Sequence, residues 1–514
     1  MRINQIKAGA ILSYAIIAVN SIVGLVYTPF MLRMLGQNEF GLYSLVSSVV
    51  AYLTVLDLGF HNAIIRYTSK YRAEGKIEEQ ASLFGMFLLL YCFIGLLVLI
   101  IGGVLLFNVE ALFDRTMTPD DLHKVKVMMA LLVGNIAFTF PMSIWSGIIT
   151  AYEDFLFQKT INLARVILNP IVMTVLLLHG YKAIAMVVIT TAFNVITLLI
   201  NAVYCIGKLH VKIKFERVSI PFIKEVAFYS FWIFLGVIVD RLYWSSGQFV
   251  LGLFRTPSEI AVFAIAIQIQ SFFTGFSYAI SNVVLPRIVK LVTTASRQVV
   301  SDYFIKISRI QFYPISLILF GFIVFGRQFI IYWAGPDYEP AYFMALFLMI
   351  PQLFTTMQQT GYSVLQAMNR VKTRSIIILL ASVFAVAISV PVSKLFGGIG
   401  TSICISVGLI LGNLFILNVY YHKEIGLDMK RFWEETLRLS IWPIVLTLLF
   451  YLLWKYLSFT SVYAFLLAVV LFAMAYCLGC YFFSFNEDEK NLLIKPVKQF
   501  IMRRVRNGGS NFVS

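Results

Sequence analysis

Long uncharged stretches recur along the whole chain. Residues 81–109, 183–207, 260–286, 340–369, 395–421 and 456–486 contain no Asp, Glu, Lys or Arg. Each is long enough to cross the hydrocarbon core as a helix, which takes roughly 20 apolar residues. Read with the charge-poor stretches between them, the pattern predicts fourteen helices. They lie near 8–32, 40–64, 82–107, 127–150, 160–178, 183–206, 226–250, 260–283, 310–332, 341–366, 375–393, 398–421, 439–454 and 460–484. The expected fold class is an all-α polytopic membrane protein of about fourteen transmembrane helices. The opening MRINQIKAGAILSYAIIAVN runs on as an apolar stretch to about Phe30. It is therefore expected to be a retained first helix rather than a short cleaved signal.

Composition agrees with a membrane protein. The chain is 60% hydrophobic and only 13% charged, where a soluble domain carries roughly 25% charge. The net charge of +16 could suggest a nucleic-acid partner, but its placement points to membrane topology instead. Fourteen spans divide the loops into two alternating sets. One set comprises 1–7, 66–80, 151–165, 207–225, 286–309, 370–374, 422–438 and 485–514, and holds 31 of the 41 Lys and Arg. The other set holds eight, and Arg241 and Arg327 fall inside spans. The positive-inside rule then places both termini in the cytoplasm, and no nucleic-acid role is expected. The tail EDEKNLLIKPVKQFIMRRVRNGG is basic and partly amphipathic, suited to an anionic inner leaflet or to solvent.

Enzyme signals are missing. No HExxH or clustered metal ligands appear around the five Cys. There is no GxxxxGK[ST] to drive a nucleotide pump. Every loop is too short for a soluble catalytic domain, which usually exceeds about 50 residues.

The chain repeats itself. LGQNEFGLYS at 35–44 compares with TPSEIAVFA at 256–264, so that Glu39 and Glu259, and Tyr43 and Phe263, stand 220 apart. HNAIIRYTSK at 61–70 and SNVVLPRIVK at 281–290 keep that offset, with Asn62 on Asn282 and Lys70 on Lys290. A weaker echo links AYED at 151–154 to AMNR at 367–370. The expected organisation is a six-helix bundle over 1–206, a cytoplasmic linker 207–225 and a second bundle over 226–421. A loop 422–438, two further helices over 439–484 and the tail 485–514 follow. An even number of helices per unit makes the repeats parallel, flanking a central cleft suited to alternating access.

Polar groups inside spans are costly and mark candidate sites. Asp240 and Arg241 lie deep in FYSFWIFLGVIVDRLYWSSGQFVL. The repeat offset maps Asp240 onto Asn20, and both positions are expected to face the space between the halves. Arg241 could bind phosphate oxygens through its planar fork, or the pair could neutralise other buried groups. Asp57 and His61 are four apart in the second span, on one helical face. They suit a hydrogen-bonded scaffold more than a proton-coupled pair, and Gly59 between them would allow a bend or close packing. Arg327 in the ninth helix could snorkel outward or reach the cleft. Gln268, Gln270, Gln358 and Gln359 could bind sugar hydroxyls or join helices.

The stretch TPFMLRMLGQNEFGLYSLVSSVVAYLTVLDLGFHNAIIRYTSKYRAEGK resembles the bacterial polysaccharide-biosynthesis flippases. These are the O-antigen, capsule and exopolysaccharide repeat-unit translocases of the multidrug/oligosaccharidyl-lipid/polysaccharide exporter superfamily. The resemblance rests on LG at 35–36, GLYS at 41–44, LDLGF at 56–60 and Arg66-Tyr67 before a basic loop, and is strongest over residues 20–80. It implies a V-shaped pair of bundles in the bacterial inner membrane. The implied cargo is an undecaprenyl-diphosphate-linked oligosaccharide whose diphosphate meets cationic cavity residues, for which Arg241 and Arg66 are the candidates. It implies proton or sodium coupling rather than a bound cofactor. Its implied partners are membrane lipids, a polysaccharide polymerase and a chain-length regulator. A multidrug antiporter, a peptidoglycan-precursor flippase and a non-transport assembly scaffold are the alternatives.

Overall fold

The computed structural model describes residues 5–215, 220–457, 461–487 and 489–490, and all regular structure among them is helical. The principal helices are α1 (Gln5–Leu35), α2 (Gln37–Leu53), α3 (Phe60–Ala73), α4 (Ile77–Phe107), α5 (Val109–Phe113), α6 (Pro119–Ala151), α7 (Phe155–Leu178), α8 (Ala183–Gly207) and α9 (Ile220–Trp244). They continue as α10 (Ser246–Phe254), α11 (Pro257–Thr294), α12 (Arg297–Trp333), α13 (Ala341–Met357), α14 (Gln359–Ala367), α15 (Val371–Leu409), α16 (Leu417–Tyr420), α17 (Met429–Leu457) and α18 (Val462–Gly479). The chain divides into two compact units. The first comprises Met1–Gln268, Ile331–Met344 and Lys372–Gly408, and the second Ile269–Ile330, Ala345–Val371 and Leu409–Ser514.

In the first unit α6 is the central element, packing against α2, α3, α4 and α8, while α1 packs on α7. Its start is written in the sequence. Thr118 and Asp121 form a reciprocal capping box, and Pro119 occupies the first turn, where its missing N–H leaves no bond unmade. Lipid offers no hydrophobic drive between helices, so close packing of small residues carries the contact. A Cβ on Gly95 of α4 would stand 2.8 Å from the Ala137 carbonyl oxygen of α6, and one on Gly102 would collide with Val133. The opposite face of α4 carries Leu89, Phe93, Leu96, Ile100 and Val104, all exposed at helical spacing. That stripe is a lipid-facing surface, and it explains why α4 is apolar all round.

The second unit is held by aromatic packing at its core. Phe325 of α12 meets Phe450 of α17 and Phe465 and Phe472 of α18 edge to face. Ser316 and Tyr476 share a hydrogen bond of 2.6 Å beside them. At one end Arg309 grips Glu489 through Nε (2.7 Å) and Nη2 (2.9 Å), donates also to Glu435, and is joined by the Tyr313 hydroxyl on Glu489 (2.9 Å).

Among the described residues eleven helices are long and apolar enough to cross a membrane, or twelve when the bent pair Ala341–Met357 and Gln359–Ala367 is counted as one span. The stretch Val371–Ile425, 55 residues long, holds the spans expected at 375–393 and 398–421 on either side of a non-helical break at Gly397, where φ is +57°. The span expected at 226–250 is divided between α9 and α10. Expected loops also prove helical at their edges: α7 starts at Phe155 and so takes in Lys159, and α11 and α12 leave only a short turn between Thr294 and Arg297. Most of the basic tail lies outside the described residues.

The sequence repeat has a conformational counterpart. Glu39 and Glu259 perform the same task. Glu39 Oε2 accepts from the Ala183 backbone N–H (3.3 Å), the first residue of α8, and Glu259 Oε1 accepts from Gly398 N–H (2.8 Å), just past the break in α15. Each carboxylate thus satisfies an N–H at a helix start, where negative charge is favoured. The weak echo between AYED and AMNR is a shared turn: Glu153 and Asn369 take left-handed φ values of +61° and +55°.

Candidate functional site

The second span is not one continuous helix. After α2 the chain tightens into a 3-10 turn, Thr54–Asp57, and then passes through left-handed Leu58 (φ +50°) and Gly59 (φ +78°) before α3. The expectation that Asp57 and His61 share one α-helical face is corrected by this break. They remain within electrostatic reach of each other across it. Asp57 Oδ1 accepts a hydrogen bond from Tyr91 of α4 (2.8 Å). Gly59 serves both expected purposes, since its φ favours glycine and a Cβ there would lie 2.8 Å from the Ser230 carbonyl oxygen of α9.

Arg241 reaches the same break from α9. Its Nη2 donates to Thr54 Oγ1 (3.2 Å), and its Nε is buried without a partner among the described residues. The Tyr52 hydroxyl bonds Ser246 Oγ (2.5 Å) and the Arg241 carbonyl oxygen (3.4 Å). Asp240 is exposed in the first unit, within the electrostatic reach of Arg241 and of Arg374. The interrupted helix and the Asp240-Arg241 pair therefore belong to one neighbourhood. Asn20 is exposed on α1, and Arg66 is exposed on α3 with its guanidinium 5.6 Å from the Tyr67 ring centre.

Beside His61 the first unit contains a cavity of about 450 Å³. α3 contributes His61, Asn62 and Ile65, α6 Thr150, α7 Phe155, Gln158, Lys159, Ile161 and Asn162, and α8 Thr197 and Asn201. Amides and hydroxyls alternate in this lining with apolar side chains. The amides and hydroxyls both donate and accept hydrogen bonds, as sugar hydroxyls do. Gln158 is held in place by Thr150 Oγ1 (3.1 Å) and by the Ser146 carbonyl oxygen (3.3 Å).

Sequence reasoning counted Arg165 with the 151–165 loop charges, although the helix expected near 160–178 also contains it, and did not single it out. It lies ten residues inside α7, about 15 Å along the helix at 1.5 Å per residue. Its Nη1 donates to Asn194 Oδ1 of α8 (3.3 Å), and the Asn194 amide donates in turn to Asn135 Oδ1 (2.9 Å) and Thr139 Oγ1 (2.8 Å) of α6. The signal was in the chain: Gln158, Asn162, Arg165 and Asn169 follow four-three-four spacing, which puts them on one helical face.

The glutamine candidates separate. Gln268 donates to Thr28 Oγ1 of α1 (2.8 Å) and joins two helices of the first unit. In the second unit Gln270 is buried, and Gln358 is buried with neither amide atom paired among the described residues, at the 42° break between α13 and α14. Gln359 is half-buried beside it, and Arg327 is exposed on α12.

Comparison with known proteins agrees with this architecture. The polysaccharide biosynthesis protein family matches residues 6–292. The chain is 22% identical over 415 residues to the uncharacterized membrane protein EpsK of Bacillus subtilis (strain 168), covering 78% of this chain and 79% of that one. It is 21% identical over 411 residues to a Shigella flexneri protein provisionally named an O-antigen transporter, covering 78% and 94%. In fold it is similar to the lipid II flippase MurJ in an inward closed conformation (TM-score 0.71, 16% identity, 92% and 98% covered). It is also similar to an inward-facing multidrug resistance transporter of the MATE family in the MOP superfamily (TM-score 0.62, 14% identity, 77% and 92% covered). An all-helical chain of many helices apolar enough to span a membrane, with polar groups gathered around a broken second span, thus belongs to the polysaccharide biosynthesis protein family.

Proposed function

We propose that this chain carries a lipid-linked oligosaccharide repeat unit, borne on undecaprenyl diphosphate, from the inner to the outer leaflet of the cytoplasmic membrane for surface polysaccharide synthesis. The observation that carries this reading is the amide- and hydroxyl-lined cavity at the basic-loop end of the first unit, in a chain of this family. Under the positive-inside rule that end faces the cytoplasm, where such a cargo would be loaded. A sugar and diphosphate headgroup cannot cross about 30 Å of hydrocarbon unaided, so a polar path must shelter it while the lipid tail stays in the bilayer.

Contacts at the opposite end support alternating access. A Cβ on Gly41 of α2 would collide with the Pro257 carbonyl of α11, Gln37 donates to the Asp337 carbonyl oxygen (3.1 Å), and Trp333 donates to the Leu25 carbonyl oxygen (2.7 Å). These contacts join elements of the two sequence repeats and would have to part for release outside. Arg241, beside the broken span, is the proposed diphosphate partner, and a proton or sodium gradient the proposed driving force. A polymerase acting on the delivered unit is the proposed downstream partner.

The test is movement of fluorescent undecaprenyl-diphosphate-oligosaccharide between leaflets of proteoliposomes. The intact protein is expected to move it, and Arg241→Ala to slow it by roughly tenfold to a hundredfold, the worth of a charged hydrogen bond. Movement unchanged in the variant removes that role from Arg241. Absence of movement by the intact, correctly inserted protein would favour a scaffold in a polysaccharide assembly complex.

A further inference from the structure

Arg165 is a cation inside the membrane-spanning helix α7, with no carboxylate partner among the described residues. Among the described residues its one polar side-chain partner is the neutral Asn194. Asp57 and Asp154, close in sequence to His61 and Phe155 of the cavity wall, are already engaged, Asp57 by Tyr91, and Asp154 by Tyr204 and Lys208. A charge in such a place is costly and is retained where something compensates it.

Around Arg165 three helices turn polar stripes toward one another. α6 presents Asn135, Thr139, Ser146 and Thr150, α7 presents Gln158, Asn162, Arg165 and Asn169, and α8 presents Thr191, Asn194, Thr197 and Asn201. Hydrogen bonds cross between them at two levels, Gln158 with Thr150 and Arg165 with Asn194, so the stripes form one seam. At the basic-loop end the seam borders the cavity of about 450 Å³, whose wall holds Lys159, Asn162 and Thr197, with Arg165 and Asn194 one turn beyond that wall. That volume falls in the range of small-ligand sites, about 300–1,000 Å³. Beyond Arg165 the Asn169 Oδ1 and Thr191 Oγ1 atoms are buried with no partner among the described residues. Buried polar atoms are normally satisfied, and two orphans one turn past an unbalanced arginine leave the seam short of hydrogen-bonding partners.

We propose that this cavity and seam form a binding site for an acidic sugar, with Arg165 pairing the oxyanion and the amide and hydroxyl lining holding the ring hydroxyls. The oxyanion is a carboxylate or phosphate carried by the saccharide itself. A guanidinium fork matches either geometry, and Lys159 adds a second positive charge on the way in. This inference rests on the transport reading and deepens it: the cargo would be selected for a negatively charged sugar, independently of its diphosphate linker.

Two measurements on the purified full-length protein separate the inference from the reading beneath it. The first is thermal stabilisation by glucuronate, glucose 6-phosphate, inorganic phosphate and glucose. Glucuronate or glucose 6-phosphate is expected to raise Tm above the level reached with glucose, and Arg165→Gln to abolish that difference while Arg165→Lys keeps part of it. Equal shifts from inorganic phosphate alone would point to a free-anion site and overturn the sugar assignment. No shift from any probe would overturn the site itself. The second is leaflet exchange in proteoliposomes of lipid-linked oligosaccharides matched except for one uronate, intact or reduced to the neutral sugar. The intact protein is expected to favour the acidic cargo by roughly tenfold to a hundredfold, and Arg165→Gln to erase the preference by slowing the acidic cargo more than the neutral one. Equal slowing of both cargoes would assign Arg165 to the linker or to the scaffold and overturn the inference. If the intact protein moves neither cargo, the transport reading falls, whereas acid-sugar stabilisation lost in Arg165→Gln would still establish the site.

Discussion

Single residues in this chain fix where helices break and start. Gly59 combines a left-handed φ with contact against the Ser230 carbonyl, so no other residue suits the position. Gly59→Ala is expected to cost about 1–3 kcal/mol, from backbone strain of roughly that size plus the clash. It should lower Tm in detergent, and an unchanged Tm would show that α9 yields. Glu39 and Glu259 form a matched pair of caps. Glu259→Ala removes an acceptor from the Gly398 N–H, and is expected to cost about 1–2 kcal/mol, the worth of a helix N-terminal cap. Glu39→Ala should cost at least as much, because Glu39 is buried and also bonds Lys124 at 2.7 Å. The sequence offered both glutamates as repeat partners through their common offset. That each reaches a helix start more than a hundred residues away could be seen only after folding, since the acceptor and the N–H are neighbours in space alone.

Among the elements, the last helices depend on one ionic clamp. Arg309 on α12 holds Glu435 on α17 and Glu489 beyond α18, and the Glu489 side chain is fully buried. Burial pushes the Glu489 carboxyl up, but bonds from Arg309 and the Asn486 N–H outweigh it and hold the group below its ordinary range. A carboxyl lowered in the folded state adds stability that is present above its unfolded value, about 4.3, and is lost as pH falls through the folded value. Glu489→Gln should therefore lower Tm at neutral pH, with the gap from the native protein closing below about pH 4. Arg309→Leu leaves two acids facing each other and is expected to cost about 3–5 kcal/mol. A Tm for Arg309→Leu equal to that of the native protein would remove the clamp from the account. The apolar runs foretold these helices well, because lipid exposure enforces long uncharged segments. They did not foretell the clamp, because its three residues lie in stretches that read as solvated loops.

For the whole molecule the charge asymmetry makes a definite claim about direction. In a variant lacking the native cysteines, Arg115→Cys is expected to react with a membrane-impermeant maleimide in intact cells. Lys212→Cys should react only after permeabilisation, and the reverse pattern would invert the proposed orientation. The Gly41–Pro257 approach makes a claim about state. Gly41→Ala cannot keep the present contact, so it is expected to expose the α2–α11 junction to the same reagent. An unchanged labelling pattern would show that this contact does not hold the end closed.

The sequence by itself determined the class of the protein, most of its helices, the repeat and the family. These follow from composition and periodicity, which the bilayer imposes on every spanning segment separately. Only the tertiary structure decided which polar residues meet. It broke the second span between Asp57 and His61, brought Arg241 from α9 to Thr54, and set Arg165 of α7 against Asn194 of α8. Contacts between helices far apart in the chain depend on rotation and depth, which local pattern does not encode. For this chain the apolar positions were legible one helix at a time, whereas the polar seam between α6, α7 and α8 exists only once three helices are packed together.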